Sequence, residues 1–237
     1  MNTREIPEQE ANILELEACN RQLRQMVQDQ RNEIAEQQKM MIYALAKVSE
    51  ARENGAGRHF KNIRENCKML AMSLARSPEF EQQVDDAFAD MIEMASLLHD
   101  IGKISISDRI LLKPGSLTSE ERAIIETHAE IGAKALQEIA DLSNGNRMME
   151  MAVDIAYYHH ERWDGTGYPK GLRGTEIPLS ARIMAVVDVY DSLVSDRCYK
   201  PAYSHEESMR IIQEESGKMF DPDIVAIVEK VQRQLKR

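Results

Sequence analysis

Six histidines occur in the 237 residues, and two of them, His159 and His160, are neighbours inside the string YYHHERWDGTGYPKG. His99 is followed at once by Asp100, while His59, His128 and a lone carboxylate in an apolar run, Asp188, stand apart. Neutral imidazoles and carboxylates are the donors that iron and manganese accept. A carboxylate beside a histidine can bridge two ions, and a two-metal site activates water and stabilises both the attacking and the leaving oxygen in phosphoester cleavage. Each residue alone has a plainer reading: a histidine on an apolar face is often hydrogen-bonded core, and a buried aspartate is often an ion-pair partner or a cap. Five histidines and two acids that all point inward or end helices are a different matter. Adjacent side chains near a helix end diverge by about 100°. His159 and His160 can therefore serve two ions, or hold one and orient a neighbour, or simply stack and hydrogen-bond beside Trp163.

The stretches that carry these residues have helical spacing. His59 shares a face with Ile63, Cys67, Leu70 and Leu74. Val84, Phe88, Met91, Ala95 and Leu98 form a stripe that ends at His99 and Asp100, with Gly102 as a helix stop. Thr118 and Glu121 stand in capping-box spacing, and His128 falls with Ile124, Ile131, Ala135 and Ile139. His159 continues the face of Met148, Ala152 and Ile155, and Pro178 precedes the helix that holds Asp188. No run alternates as a strand would, and GTGYPKGLRGTEIP reads as a long loop with room for a small hairpin at most. The expected fold class is all-α.

Residues 8–50 contain no Pro or Gly and fit a seven-residue frame. Ile13, Asn20, Val27, Ile34, Met41 and Val48 take one core position; Leu16, Leu23, Gln30, Gln37 and Ala44 take the other. That pattern predicts a parallel two-stranded coiled coil, marginal by itself because the second position turns polar after Leu23. The alternative is one amphipathic helix packed on its own domain. Gly55 and Gly57 end this helix or start the next, so the expected division is a dimerisation helix over 1–50 and a domain over 51–237.

A formal net charge of -10 argues against a partner such as a nucleic acid polymer, and leaves a small anionic ligand held by local positive charge. No stretch approaches the roughly 18 apolar residues of a membrane span. Cys19, Cys67 and Cys198 are scattered and odd in number, which reads as reduced thiols in the cytoplasm.

HDIGK (99–103) together with HHERWDGTGYP (159–169) resembles the HD-GYP domain, a branch of the HD phosphohydrolase superfamily. The likeness spans roughly 52–237, including LLKPGSLTSEE, RIMAVVDVYDSL and FDPDIV. It implies a bacterial, all-helical phosphodiesterase that hydrolyses cyclic di-GMP to pGpG and often GMP, with iron or manganese and a hydroxide bridging two ions. It implies metal ligands at His59, His99, Asp100, His128, His159, His160 and Asp188, with Asp100 as the bridge. Lys103 would lie near the scissile phosphate, and Tyr168, Arg197 and Lys200 would touch the dinucleotide. Asp164, Gly165 and Gly167 would shape the loop.

Two positions depart from the family pattern. A Glu-Thr-Gly-x-His string is usual at the first histidine, and here GAGRH puts Gly55 and Ala56 in place of Glu and Thr. That Glu is a ligand in three-metal members, so two metals are expected. Asn62 replaces an Arg three residues after His59. These changes keep open a weak or degenerate module that binds cyclic di-GMP, or a diguanylate cyclase through the GYP loop. Another nucleotide as substrate, or an adaptor built on the coil, are further alternatives. A helix pair feeding an enzymatic domain also suggests a sensor or receiver domain ahead of Met1, unless the coil merely dimerises.

Overall fold

The computed structural model describes residues 5–50, 52, 59–143, 145–195 and 202–236. The chain forms two compact units, Met1–Ile42 and Tyr43–Arg237. Helix α1 (Glu5–Glu50) runs through the first and into the second. Within the first unit it is supported by side-chain bonds between residues four apart, such as Arg24 Nε to Asn20 Oδ1 at 2.9 Å. Ile13, Leu16, Leu23, Val27 and Ile34 lie exposed along it.

The second unit is a helical bundle. Helix α2 (His59–Leu74) buries Ile63, Cys67, Leu70 and Leu74 completely, which is the face expected of it. Burial raises the Cys67 thiol to about 12, so it acts as a small apolar residue. Helix α3 (Asp86–Ala95) is capped by Asp85, whose side chain accepts from Phe88 N. Its buried face is Ala89, Ile92 and Ala95; Phe88 and Met91 are half-buried, because the helix begins only after Val84 and its phase differs from the expected stripe. A short helix α4 (Asp108–Leu111) leads to α5 (Ser119–Leu142), which opens on the expected Thr118–Glu121 capping box. Helix α6 (Arg147–Tyr158) is capped by Asn146. Helix α7 (Leu179–Val194) follows Pro178 and is buried nearly all round. Helices α8 (His205–Glu214) and α9 (Pro222–Val231) close the bundle. A buried ion pair, Arg182 Nη1 to Asp221 Oδ2 at 2.6 Å, ties α7 to the start of α9.

Among the described residues there is no strand. The bridge Ser216–Phe220 is isolated, and the loop 165–178 holds a 3-10 turn, Gly174–Glu176, where a hairpin was allowed.

Two expectations need correction. The buried face of α5 is His128, Ala129, Gly132, Ala133, Leu136 and Ala140, whereas Ile124, Ile131, Ala135 and Ile139 face outward. The reason is proximity. Helix α5 packs against the 3-10 turn Ile101–Ser105 so closely that a Cβ on Gly132 would lie 3.0 Å from Gly102 N. Where the backbones meet, at Gly132, no large side chain fits, and mostly small residues take that face, with His128 and Leu136 beyond the point of contact. Gly102, for its part, is no helix stop: α3 ends at Ala95, and Gly102 lies inside the 3-10 turn. A Cβ there would sit 2.0 Å from the carbonyl oxygen of His128.

Candidate metal centre

Helix α3 gives way to a 3-10 turn, Ser96–Leu98, that delivers His99 fully buried and Asp100 beside it. The glycine contact just described brings His128 of α5 over Asp100. His159 caps the C-terminus of α6, and His160 follows it. The carboxylate of Asp100 is flanked on both sides. Its Oδ1 lies 3.3 Å from His128 Nε2 and 3.7 Å from His159 Nε2. Its Oδ2 lies 3.2 Å from His99 Nε2 and 2.7 Å from Lys103 Nζ. Asp100, His128, His159 and His160 can each aim one donor atom into a space where all lie within 4.8 Å of one another. Asp188 approaches from α7, with Oδ1 at 4.0 Å from His99 Nε2. His59 is more distant, its ring centred 5.9 Å from that of His99.

The protonation pattern fits a cation. His99 Nδ1 donates to Ser96 O at 2.8 Å, His128 Nδ1 to Ile125 O at 2.6 Å, and His159 Nδ1 to Ile155 O at 2.9 Å. Each bond fixes Nδ1 as the donor and turns Nε2 inward, the usual preparation of a metal-binding histidine. Those three Nε2 atoms and Asp100 Oδ1 are buried without a hydrogen-bond partner, the close approaches being off hydrogen-bond geometry. Left unsatisfied, each of these four atoms would cost about 1–3 kcal/mol. Divalent ions on the two sides of Asp100 would satisfy them, His128, His159 and Asp100 Oδ1 on one side and His99 on the other. Burial lowers the pKa of His159 and, with His159 alongside, lowers that of His160 well below its ordinary value. Both rings are therefore neutral and ready to bind. Burial also acts to depress His99, but the charges of Asp100 and Asp188 outweigh it and raise His99 to about 9. For Asp100, burial pushes upward, and Lys103, His99 and the facing imidazoles together hold it well below the usual carboxylate range.

Two residues that the sequence reading passed over, Asp191 and Glu161, support this centre, together with Asn62. Asp191, one turn beyond Asp188, is 1% exposed, and its Oδ2 lies 2.6 Å from His59 Nδ1. Asn62 completes that contact, donating to Asp191 Oδ1 at 3.2 Å. The position where the family pattern has Arg is thus used to hold the carboxylate that holds His59. Glu161, 2% exposed, accepts from the backbone N–H groups of Lys170, Gly171 and Leu172 at 2.7, 3.2 and 3.0 Å. It clamps the glycine-rich loop against the histidine pair. An acid immediately after two histidines was the available signal, and an acid three residues after Asp188 was the other.

The loop does what its glycines allow. Gly165 has φ +80 and Asp164 Oδ1 accepts from Thr166 N at 3.0 Å, while a Cβ on Gly167 would meet Arg162 N at 2.4 Å. Tyr168 lies flat on His160, ring centroids 4.8 Å apart at 27°; Trp163 instead stacks on the Arg182 guanidinium. Burial raises the pKa of Tyr168, which keeps its hydroxyl protonated. The sixth histidine, His205, is spent on Tyr190, whose hydroxyl is 2.8 Å from its Nδ1. Gly55, Ala56, Gly57, Arg197, Cys198 and Lys200 lie outside the described residues.

Comparison with known proteins bears on the family and the fold. The profile of the HD domain family matches residues 21–224. A cyclic di-GMP phosphodiesterase of Vibrio cholerae is 44% identical over 195 residues, 82% of this chain and 39% of that protein. A 3'3'-cGAMP-specific phosphodiesterase 2 of the same organism is 38% identical over 198 residues, 83% of this chain and 35% of that protein. The chain thus spans well under half the length of these relatives. Among solved structures, Bd1817, an HDG"Y"P protein from Bdellovibrio bacteriovorus, shares the fold with a TM-score of 0.53 at 20% identity, over 72% of this chain and 51% of that one. With the histidine–aspartate pair at 99–100 and the Gly-Tyr-Pro triplet at 167–169, the chain belongs to the HD domain family, in its HD-GYP branch.

Proposed function

We propose that this chain is a metal-dependent phosphodiesterase that hydrolyses cyclic di-GMP to pGpG, with a second cleavage to GMP left for product analysis to decide. The observation that carries the reading is Asp100, which turns one carboxylate oxygen to His128 and His159 and the other to His99. A bridging carboxylate between two imidazole sets suits two divalent ions, iron or manganese. His160 joins the first set, and Asp188 and His59 stand on the side of the second. When bound, such ions supply a nucleophile from water and neutralise the phosphoryl oxygens. The chain's own groups do the positioning. Three backbone carbonyls hold the imidazoles against rotation. Lys103, close to Asp100 Oδ2, is placed to offset negative charge on the phosphate and its leaving oxygen. Tyr168 offers a protonated hydroxyl, and Arg197 and Lys200 are assigned to the dinucleotide phosphates. Loss of a glutamate at Gly55 favours two ions over three.

Cyclic di-GMP is preferred because the relative bearing that name is 44% identical, against 38% for one named for 3'3'-cGAMP. That second nucleotide is the competing reading. The exposed apolar row of α1 suits a homodimer through residues 1–50, passing a signal from a preceding sensor or receiver domain; a diguanylate cyclase could dock on the GYP loop. Among the described residues no helix is long and apolar enough to cross a membrane, which accords with action on a cytoplasmic messenger.

The test is chromatography of products from protein loaded anaerobically with iron(II), or with manganese, given each cyclic dinucleotide in turn. pGpG or GMP should appear from cyclic di-GMP at the higher rate. Chelator, or His99→Ala with Asp100→Ala, should remove bound metal and reduce turnover to that of the metal-free protein while helicity persists. Full turnover in the double variant would sink the assignment. Metal bound without any product would move the reading to a ligand-binding module.

A further inference from the structure

Arg52 follows the last residue of α1 by two positions, and its guanidinium is closed around the segment just after the histidine–aspartate pair. Nη1 donates to Lys103 O at 3.2 Å and to Ile104 O, and Nη2 donates to Ile106 O at 2.8 Å and to Asp108 Oδ1 at 2.5 Å. Three of the four acceptors are backbone carbonyls at and just beyond the C-terminal end of the 3-10 turn Ile101–Ser105. Lys103 O already accepts from Ile106 N at 3.0 Å, and Arg52 adds a second donor there. Helix ends leave carbonyls short of intrahelical donors, and a planar fork of N–H groups is suited to gather them. The same turn carries Lys103, whose Nζ sits 2.7 Å from Asp100 Oδ2. At its other edge the turn is pinned by the Gly102 contact with α5. The backbone that presents Asp100 and Lys103 is therefore fixed at two points, and Arg52 is one of them. The Arg52 side chain is 28% exposed, so it is not there to fill the core.

We propose that Arg52 is a positioning residue for the phosphodiesterase centre: by binding the carbonyls of residues 103–106 it holds the Lys103 ammonium against Asp100. This makes Arg52, two positions beyond α1, part of the support of the turn bearing Lys103. The inference rests on the activity proposed above, and its test includes a measurement that does not.

The experiment uses the full chain loaded with manganese, with Arg52→Met and, as a milder variant that removes the carboxylate contact alone, Asp108→Asn. Measured are metal content, kcat and KM for cyclic di-GMP, and backbone amide exchange over 101–108. For Arg52→Met we expect kcat to fall about tenfold, with KM and metal content within about twofold of the parent, and faster exchange confined to this segment. Millimolar guanidinium ion should restore part of the lost kcat by occupying the vacated fork. Asp108→Asn should show a smaller change of the same sign. Unchanged kcat with unchanged exchange would overturn the proposal. So would a kcat loss matched by faster exchange throughout the bundle and insensitive to guanidinium, because that is the behaviour of a structural residue. If the parent protein turns over no cyclic dinucleotide, the activity reading fails; exchange then decides the clamp, with selective loosening of 101–106 supporting it and full protection refuting it.

Discussion

His128 and His59 are oriented by opposite means. His128, like His99 and His159, is held by a carbonyl three or four residues back in its own chain segment, a bond made as soon as the helix or turn forms. His59 stands at the start of α2 and is held by Asp191, which lies 132 residues away on α7 and is itself held by Asn62. The first three imidazoles are set by local geometry and burial. The fourth depends on the packing of α2 against α7. Local anchors make three donors rigid at little conformational cost, while a remote carboxylate makes the fourth sensitive to how the bundle closes.

Asp191→Asn breaks the contrast most sharply. The variant keeps the shape and removes the charge facing His59, a loss of outer support that typically lowers metal affinity or activity by about 10–100-fold. Titration of manganese binding and turnover in parallel checks this. Parent-like affinity would mean that His59 needs no such anchor.

A pH series separates the imidazoles by charge. His99, raised to about 9, carries a proton below that pH, and this proton must leave when a metal binds Nε2. His159 and His160 have lowered pKa values and are already neutral near pH 7. Manganese affinity should therefore fall about tenfold per unit as pH drops below 9 towards 7, one proton being released per centre formed. Calorimetry in buffers of different ionisation enthalpy measures that proton. A flat affinity across this range would show that Asp100 and Asp188 do not charge His99.

The smallest effect is expected at Ile139→Glu on the outer side of α5, where the isoleucine is 50% exposed. Stability should change by less than about 0.5 kcal/mol and metal affinity not at all. A loss of several kcal/mol in denaturant unfolding would restore the inward isoleucine face and remove the small-residue packing that places His128.

Much of the fold was legible in the residues. Capping chemistry at Thr118 and Glu121, the apolar row of α2, the proline ahead of α7 and the absence of alternation all rest on contacts within a few residues, and the helices formed where those signals lay. The stripe of α3 held at Val84, Ala95 and Leu98 and slipped in phase at Phe88 and Met91. The face of α5 was misread because hydrophobicity marks which side chains can be buried, and says nothing about how near a neighbouring backbone will come. Ile124, Ile131 and Ile139 each carry more apolar bulk than the small residues, yet Gly102 and Gly132 decide the contact by letting two backbones approach.

The centre divides along the same line. Residue type and spacing alone nominated His59, His99, Asp100, His128, His159, His160 and Asp188, since imidazoles and acids on apolar faces or at helix ends must find a partner wherever the chain folds. The sequence by itself thus determined the helices, the donor inventory and the family. Tertiary structure alone decided that Asp100 lies between two sets of imidazoles, that Asp191 and Asn62 orient His59, that Glu161 pins the glycine loop, and that Arg52 grips the turn bearing Lys103. Apart from the adjacent His99 and Asp100, these contacts join residues 9 to 132 positions apart. No periodicity encodes them, because a charge or a donor can be satisfied by any complementary group that the packing of the helices brings within about 3 Å.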